Sequence, residues 1–338
     1  MSAASDTTPG GATALLSYSG VAALGLVVAL LPLLGPSSHI LTLSTSTVIF
    51  AVGAAGLGFL WGQSGQLSMA HAAVFGLGGY AAAIGAKLYE LTFVQVMPFS
   101  ILTGLVAGAL VALPSLRTQG HYFVILTFAV GEVVVVLMKR LEGLTGGLLG
   151  ITTQPGRQVV AGLRLVNRAE FYMLAVAVAT AVFLFLFAVM RSRWGATLRG
   201  IRENPFLAAS LGVNVTLHRI IAFAISGAIG GLAGQLYLYQ VRFIEPNLFS
   251  ANLSIVFLMI VLLGGKAHLL GPAIGALFYF FLSELLGLPP VYNQIVFGLL
   301  LILMILAAPD GIMSLVRRAL SWVRPARTPA NATSERAT

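Results

Sequence analysis

Apolar residues in this chain fall in unbroken runs. Stretches such as SGVAALGLVVALLPLLG and FYMLAVAVATAVFLFLFAVM carry no charge at all, whereas a helix packed on a soluble core shows a polar face every few residues. A bilayer is the solvent that suits them: roughly 20 apolar residues in a helix cross its hydrocarbon core with their backbone groups bonded internally. Ten segments fit, near residues 14–34, 40–60, 66–88, 96–113, 121–138, 171–190, 220–241, 251–264, 270–287 and 292–309. The third is rich in Gly and Ala and the eighth is short, so either can be a broken or re-entrant helix covered by its neighbours. Composition agrees, with 58% of residues hydrophobic and 9% charged, against about 25% charged in soluble domains. The expected fold class is therefore all-α, a polytopic membrane helical bundle of about ten spans with short re-entrant or broken segments. The first run lacks a basic leader and is followed at once by further spans, which reads as a retained helix and not a cleaved signal.

Orientation follows from the positive-inside bias. With both termini in the cytoplasm, twelve basic residues lie inside: Arg117, Arg191, Arg193, Arg199, Arg202, Arg219, Lys266, Arg317, Arg318, Arg324, Arg327 and Arg336. Seven lie outside, namely Lys87, Lys139, Arg140, Arg157, Arg164, Arg168 and Arg242, five of them in one loop from Lys139 to Arg168. The net charge of +9 then belongs to the membrane surface and not to a nucleic-acid footprint. The absence of cysteine excludes disulfides and thiolate chemistry. The termini MSAASDTTPGG and RPARTPANATSERAT are small, polar and Pro-bearing, and residues 1–13 and 311–338 are expected to be a disordered cytoplasmic N-terminus and a basic cytoplasmic C-terminal tail flanking a membrane domain at 14–310.

One cytoplasmic loop, 191–219, interrupts this pattern with LRGIRENPFLAASLGVN. Asn204 suits an N-cap, Pro205 the first helical position, and Gly212 the left-handed residue that ends a helix. So short a helix is marginal alone in water and is expected to dock on a partner. Phe206, Leu207 and Leu211 call for a groove, and Arg199, Arg202 and Glu203 are placed to frame it with charge. A helix lying on the lipid headgroups is the structural alternative.

Several segments carry a family resemblance. The run GATLRGIRENPFLAASLGVNVTLHRIIAFAISGAIGGLAGQLY, Gly195 to Tyr237, resembles the signature region of branched-chain amino acid ABC transporter permeases of the LivM type. GQSGQLSMAHAAVFGLGGYAAA, Gly62 to Ala83, is similar to that family's Gly-Gln-x-Ser-x-x-His-Ala segment. HYFVILTFAVGEVVVVL resembles its Tyr-Phe-x-x-x-Thr-x-x-x-x-Glu helix, and LTGGLLGI its Leu-Thr-Gly-Gly turn. MIVLLGGKAHLLGPAIGALF, Met259 to Phe278, resembles its Gly-Gly-x-x-x-x-x-Gly-Pro-x-x-Gly segment. Met69 before Ala70 and His71, and the ending LLGITTQPG, depart from the family pattern. The resemblance implies a permease subunit in a bacterial inner membrane, forming with a second permease of the LivH type a path for branched-chain or other hydrophobic amino acids. Two cytoplasmic ATPases would drive it through the helix from Asn204 to Gly212, and a binding protein would deliver the substrate. ATP and Mg would belong to the ATPases and no cofactor to this chain. The sequence agrees, because LLGGKAH has Ala267 where a phosphate loop needs a hydroxyl. It holds neither a His-Glu-x-x-His helix nor a Gly-x-Ser-x-Gly elbow, so an intramembrane enzyme has no support.

Polar groups at membrane depth are costly and face protein or water. Glu132 stands between FAVG and VVVV with no charge nearer than Lys139. It reads either as a polar post on the translocation path or as a structural glutamate bonded between helices. Gln63, Ser64, Gln66, Ser68 and His71 form the densest polar cluster in any span and are candidate path residues, beside Gly76, Gly78 and Gly79, which permit close packing or a helix break. Glu284 and Asp310 read as interfacial. Seven of the ten spans hold no charged residue, so selection is expected to rest mainly with the binding protein. A same-family permease for urea, short amides or another small solute remains open. So does an ATP-independent secondary transporter, which calls for several buried carboxylates, where only Glu132 clearly qualifies.

Overall fold

The computed structural model describes residues 18–116, 118, 120–153, 159–160, 163–266, 268–287, 289–307 and 311–313. The expected N-terminal tail, nearly all of the expected C-terminal tail, and Arg117, Arg157, Ala267 and Asp310 lie outside them. The helices are α1 Tyr18–Ala29, α2 Ser38–Phe59, α3 His71–Leu88, α4 Phe93–Ala112, α5 His121–Arg140, α6 Glu142–Thr145, α7 Arg168–Arg191, α8 Arg193–Glu203, α9 Pro205–Ser210, α10 Val215–Val241, α11 Ala251–Gly264, α12 Gly271–Leu286 and α13 Pro290–Ala307.

Each expected span is a helix, but a count of ten crossings does not follow. Among the described residues, five helices have the length and hydropathy to cross a membrane: α2 with its extension to Ser64, α4, α5, α7 and α10. The 14-residue α11 reaches only about 21 Å at 1.5 Å per residue, short of a hydrocarbon core of about 30 Å. The third span is not broken at its Gly residues: α3 runs unbroken from His71 to Leu88, and the irregular stretch lies ahead of it. After Phe59 the chain passes through a π-turn, Leu60–Ser64, then Gly65 at φ 73°, and regains helix only at His71.

Small residues set the packing around α10, which is flanked by α2, α3 and α4. A Cβ on Gly227 would stand 2.2 Å from the Gly104 carbonyl oxygen of α4, and one on Gly78 of α3 would stand 2.1 Å from the Gly231 Cα. The Gly residues of these helices thus bring backbones into direct contact, where dispersion and not lipid exclusion provides the attraction. Aromatic side chains fill the space between α2, α3 and α11: Phe50, Phe75 and Phe257 lie with centroids 5.4–6.3 Å apart.

Among the described residues, four two-residue strands supplement the helices at the end of the bundle away from α9. β1 Ile151–Thr152 pairs antiparallel with β4 Phe243–Ile244, and β2 Val159–Val160 with β3 Leu163–Arg164. The first pair ties the loop after α5 to the connection between α10 and α11. At the same end, His39 Nε2 and Glu284 Oε1 meet at 2.8 Å and join α2 to α12, both side chains being exposed.

Candidate functional site

Two parts of the bundle carry the residues singled out by the sequence. The first is the turn between α7 and α10. Ser192 accepts from Gly195 N at 3.1 Å and starts α8, an amphipathic helix with Leu198 and Ile201 fully buried. The sequence reading had not separated α8 from the loop, although its apolar positions three apart mark one face. Asn204 then caps α9, its Oδ1 accepting from Phe206 N at 3.1 Å and Leu207 N at 3.0 Å, while Gly212 takes φ 84° just past the end. Ala208 packs inward, and Phe206, Leu207 and Leu211 are left 80%, 58% and 76% exposed. These three apolar side chains thus stand together on the surface at one short turn of helix.

Two neighbouring arginines bond to the bundle. Arg199 Nη1 donates to Gln63 Oε1 at 3.1 Å and to the Met190 carbonyl at 2.8 Å, and Arg202 Nη1 donates to the Gly62 carbonyl at 2.5 Å. Both turn toward the bundle and clasp the π-turn that ends α2, whereas Glu203 stays exposed. Carbonyls at the ends of α2 and α7 thus take guanidinium donors from α8. The π-turn is held from a second side, with Lys266 Nζ 4.6 Å from the Trp61 ring centroid.

The second part is the break between that π-turn and α3. Its backbone groups are met by side chains of distant helices: Thr127 Oγ1 of α5 accepts from Met69 N at 3.1 Å, and Ser254 Oγ of α11 accepts from Ala72 N at 3.2 Å while donating to the Met69 carbonyl at 2.6 Å. His71 is buried, its Nε2 2.8 Å from the Gly53 carbonyl of α2 and its ring edge-on to Phe257. Non-helical backbone can lie inside a membrane protein only when so satisfied. One turn beyond Thr127, Glu132 Oε1 accepts from Ala251 N at 2.8 Å, at the first residue of α11.

The predicted polar cluster is therefore divided. Gln63 holds Arg199, and Ser64 Oγ donates to the Leu60 carbonyl at 2.6 Å, both at the α8 end. Gln66 and Ser68 are buried in the break, Gln66 with its Oε1 unpartnered, and His71 joins α3 to α2. Thr127 and Ser254 were missed as site residues. Thr127 stands five residues before Glu132 in the same motif, but nothing local marks Ser254. Among the described residues, no group of His, Cys, Asp and Glu is placed to hold a metal ion.

A family model described as branched-chain amino acid transport system / permease component matches residues 39–305. The chain is 28% identical to the high-affinity branched-chain amino acid transport system permease protein LivM of Salmonella typhimurium, across 82% of this chain and 71% of that protein. It is 27% identical to the Escherichia coli protein of the same name, with the same coverage. It is 31% identical to the probable branched-chain amino acid transport permease protein LivM of Methanocaldococcus jannaschii, over 62% of this chain and 65% of that one. No solved structure matches.

Proposed function

We infer the role of this chain from its family: it belongs to the branched-chain amino acid transport system permease components, and it is a multi-pass inner-membrane transport subunit, not an enzyme. Its substrate is a branched-chain or other hydrophobic amino acid, as the names of its relatives suggest. With a second permease it forms the translocation path of an ABC importer. Two cytoplasmic ATPases bind ATP and Mg and drive transport, and a separate binding protein delivers the substrate. Both termini are cytoplasmic, in keeping with the positive-inside count.

One observation carries the coupling: α9 presents Phe206, Leu207 and Leu211 to solvent while α8 is clasped to the end of α2 through Arg199 and Arg202. A push on α9 would thus reach the π-turn and, five residues on, the break beside His71. The second permease covers α5, whose window is the least buried of the five long helices, and Glu132 and His71 lie along the path so formed. Charge within the bundle is too sparse for tight capture, which leaves selection to the binding protein.

Reconstitution of this chain with both ATPases and the second permease should give leucine uptake that needs ATP and the binding protein. Uptake by the permeases alone, driven by an ion gradient, would instead establish a secondary transporter.

A further inference from the structure

The end of the bundle opposite α9 contains a cavity of about 250 Å³ between the ends of α2, α7 and α10. One water needs about 10–15 Å³ in the same measure, so the space suits a much larger group. Its walls include Thr42, Val166, Arg168, Tyr239, Gln240 and Arg242. Arg168 reaches the Ser38 carbonyl and Thr42 Oγ1 only at 3.5 and 3.4 Å, beyond the usual hydrogen-bond range. The Arg242 guanidinium has no hydrogen bond or ion pair among the described residues. The carboxylates nearest in sequence are Glu170, which accepts from Asn167 Nδ2 at 2.7 Å, and Glu245, three residues after Arg242 and in no ion pair with it.

Two further observations mark the cavity as suited to an anion. Arg242 holds φ 64°, a left-handed backbone that favours Gly or Asn, and a charged side chain kept in such a conformation points to a task. On the orientation proposed above, on which this point rests, Arg168 and Arg242 also lie on the side of the membrane where basic residues are disfavoured, and a bound anion supplies the missing counter-charge.

We propose that this cavity holds the phosphate of an anionic phospholipid, with Arg168 and Arg242 on its oxygens. A lipid fits better than a soluble anion because the cavity sits among helix ends, at headgroup depth, and Val166 and Val241 beside it are about half exposed, offering apolar surface to acyl chains.

The test is retention of phosphatidylglycerol, against phosphatidylcholine, by the full complex in native mass spectrometry. Wild type should keep phosphatidylglycerol selectively, and Arg242→Asn, which suits the left-handed backbone, should lower retention about tenfold, as the loss of one charge-assisted contact implies. Arg168→Gln should lower it again, and Arg168→Lys should restore part. Equal retention by wild type and Arg242→Asn at matched yield would overturn the site. Displacement of the lipid signal by millimolar inorganic phosphate, with phosphate then stabilising lipid-free protein, would overturn the lipid assignment in favour of a soluble anion.

Discussion

Glu132 Oε1 accepts a hydrogen bond from the backbone N–H of Ala251 at 2.8 Å, so a side chain of α5 caps the first residue of α11. Ser250, at the N-cap position itself, makes no side-chain cap, and the carboxylate takes over that work where a helix begins inside the bundle. Negative charge is favoured there by the helix dipole as well as by the bond. Glu132→Ala should cost about 1–2 kcal/mol of stability, whereas Glu132→Gln keeps an acceptor and should cost about half as much. Thermal unfolding of the purified complex measures both. Loss of uptake in Glu132→Gln at normal yield would show that the charge also serves the path, and wild-type uptake would leave the cap as its whole role.

Replacing Leu207 and Leu211 with Asp should leave the chain folded in the membrane, because both side chains are mostly exposed. Each leucine buried in a partner groove carries about 1.5–3 kcal/mol, so ATPase docking should weaken by orders of magnitude. Substrate-stimulated ATP hydrolysis at the wild-type level in the double variant would rule out α9 as the docking element.

Arg199→Gln with Arg202→Gln should spare docking and impair transmission. Bonds from a charged donor are worth about 1.5–3 kcal/mol each, discounted toward about 1 kcal/mol here because Arg202 is exposed and solvent screens it. ATP hydrolysis should persist while losing its dependence on substrate. Retained dependence would mean that α8 does not carry the signal.

Glycines in α10 and α8 should respond in opposite ways. A Cβ on Gly231 would stand 2.3 Å from the Ser100 carbonyl oxygen, so Gly231→Ala should destabilise the bundle by about 1–3 kcal/mol and lower its yield. Gly200 in α8 meets nothing within 4 Å, and Gly200→Ala should stabilise by about 0.5–1 kcal/mol through backbone entropy. Melting temperatures of the two variants give the comparison.

Single cysteines at Ser210 and Asn247 should label from opposite sides of the membrane, Ser210 from the cytoplasm. Both positions are exposed and lie beyond opposite ends of the 27-residue α10, about 40 Å long at 1.5 Å per residue. The native chain has no cysteine, so background is absent. Labelling of both from one side would contradict the proposed orientation.

The sequence by itself determined where helices run and how α9 is cut, because these depend on neighbours within a few residues. Run length and hydropathy located every helix from α2 to α13 that the spans predicted, and Asn204, Pro205 and Gly212 encode the start and stop of α9 through bonds spanning two or three positions. Tertiary structure alone decided that the third span starts at His71, since among its first five expected residues Met69 bonds through its N–H to Thr127 and through its carbonyl to Ser254 and not within a helix. It alone aimed Arg199 and Arg202 at Gln63 and Gly62, and brought Glu132 to Ala251 across 119 residues of sequence. Hydropathy states only that a polar group inside a membrane must be satisfied; which distant group satisfies it is fixed by the close Gly-mediated packing that brings the helices together.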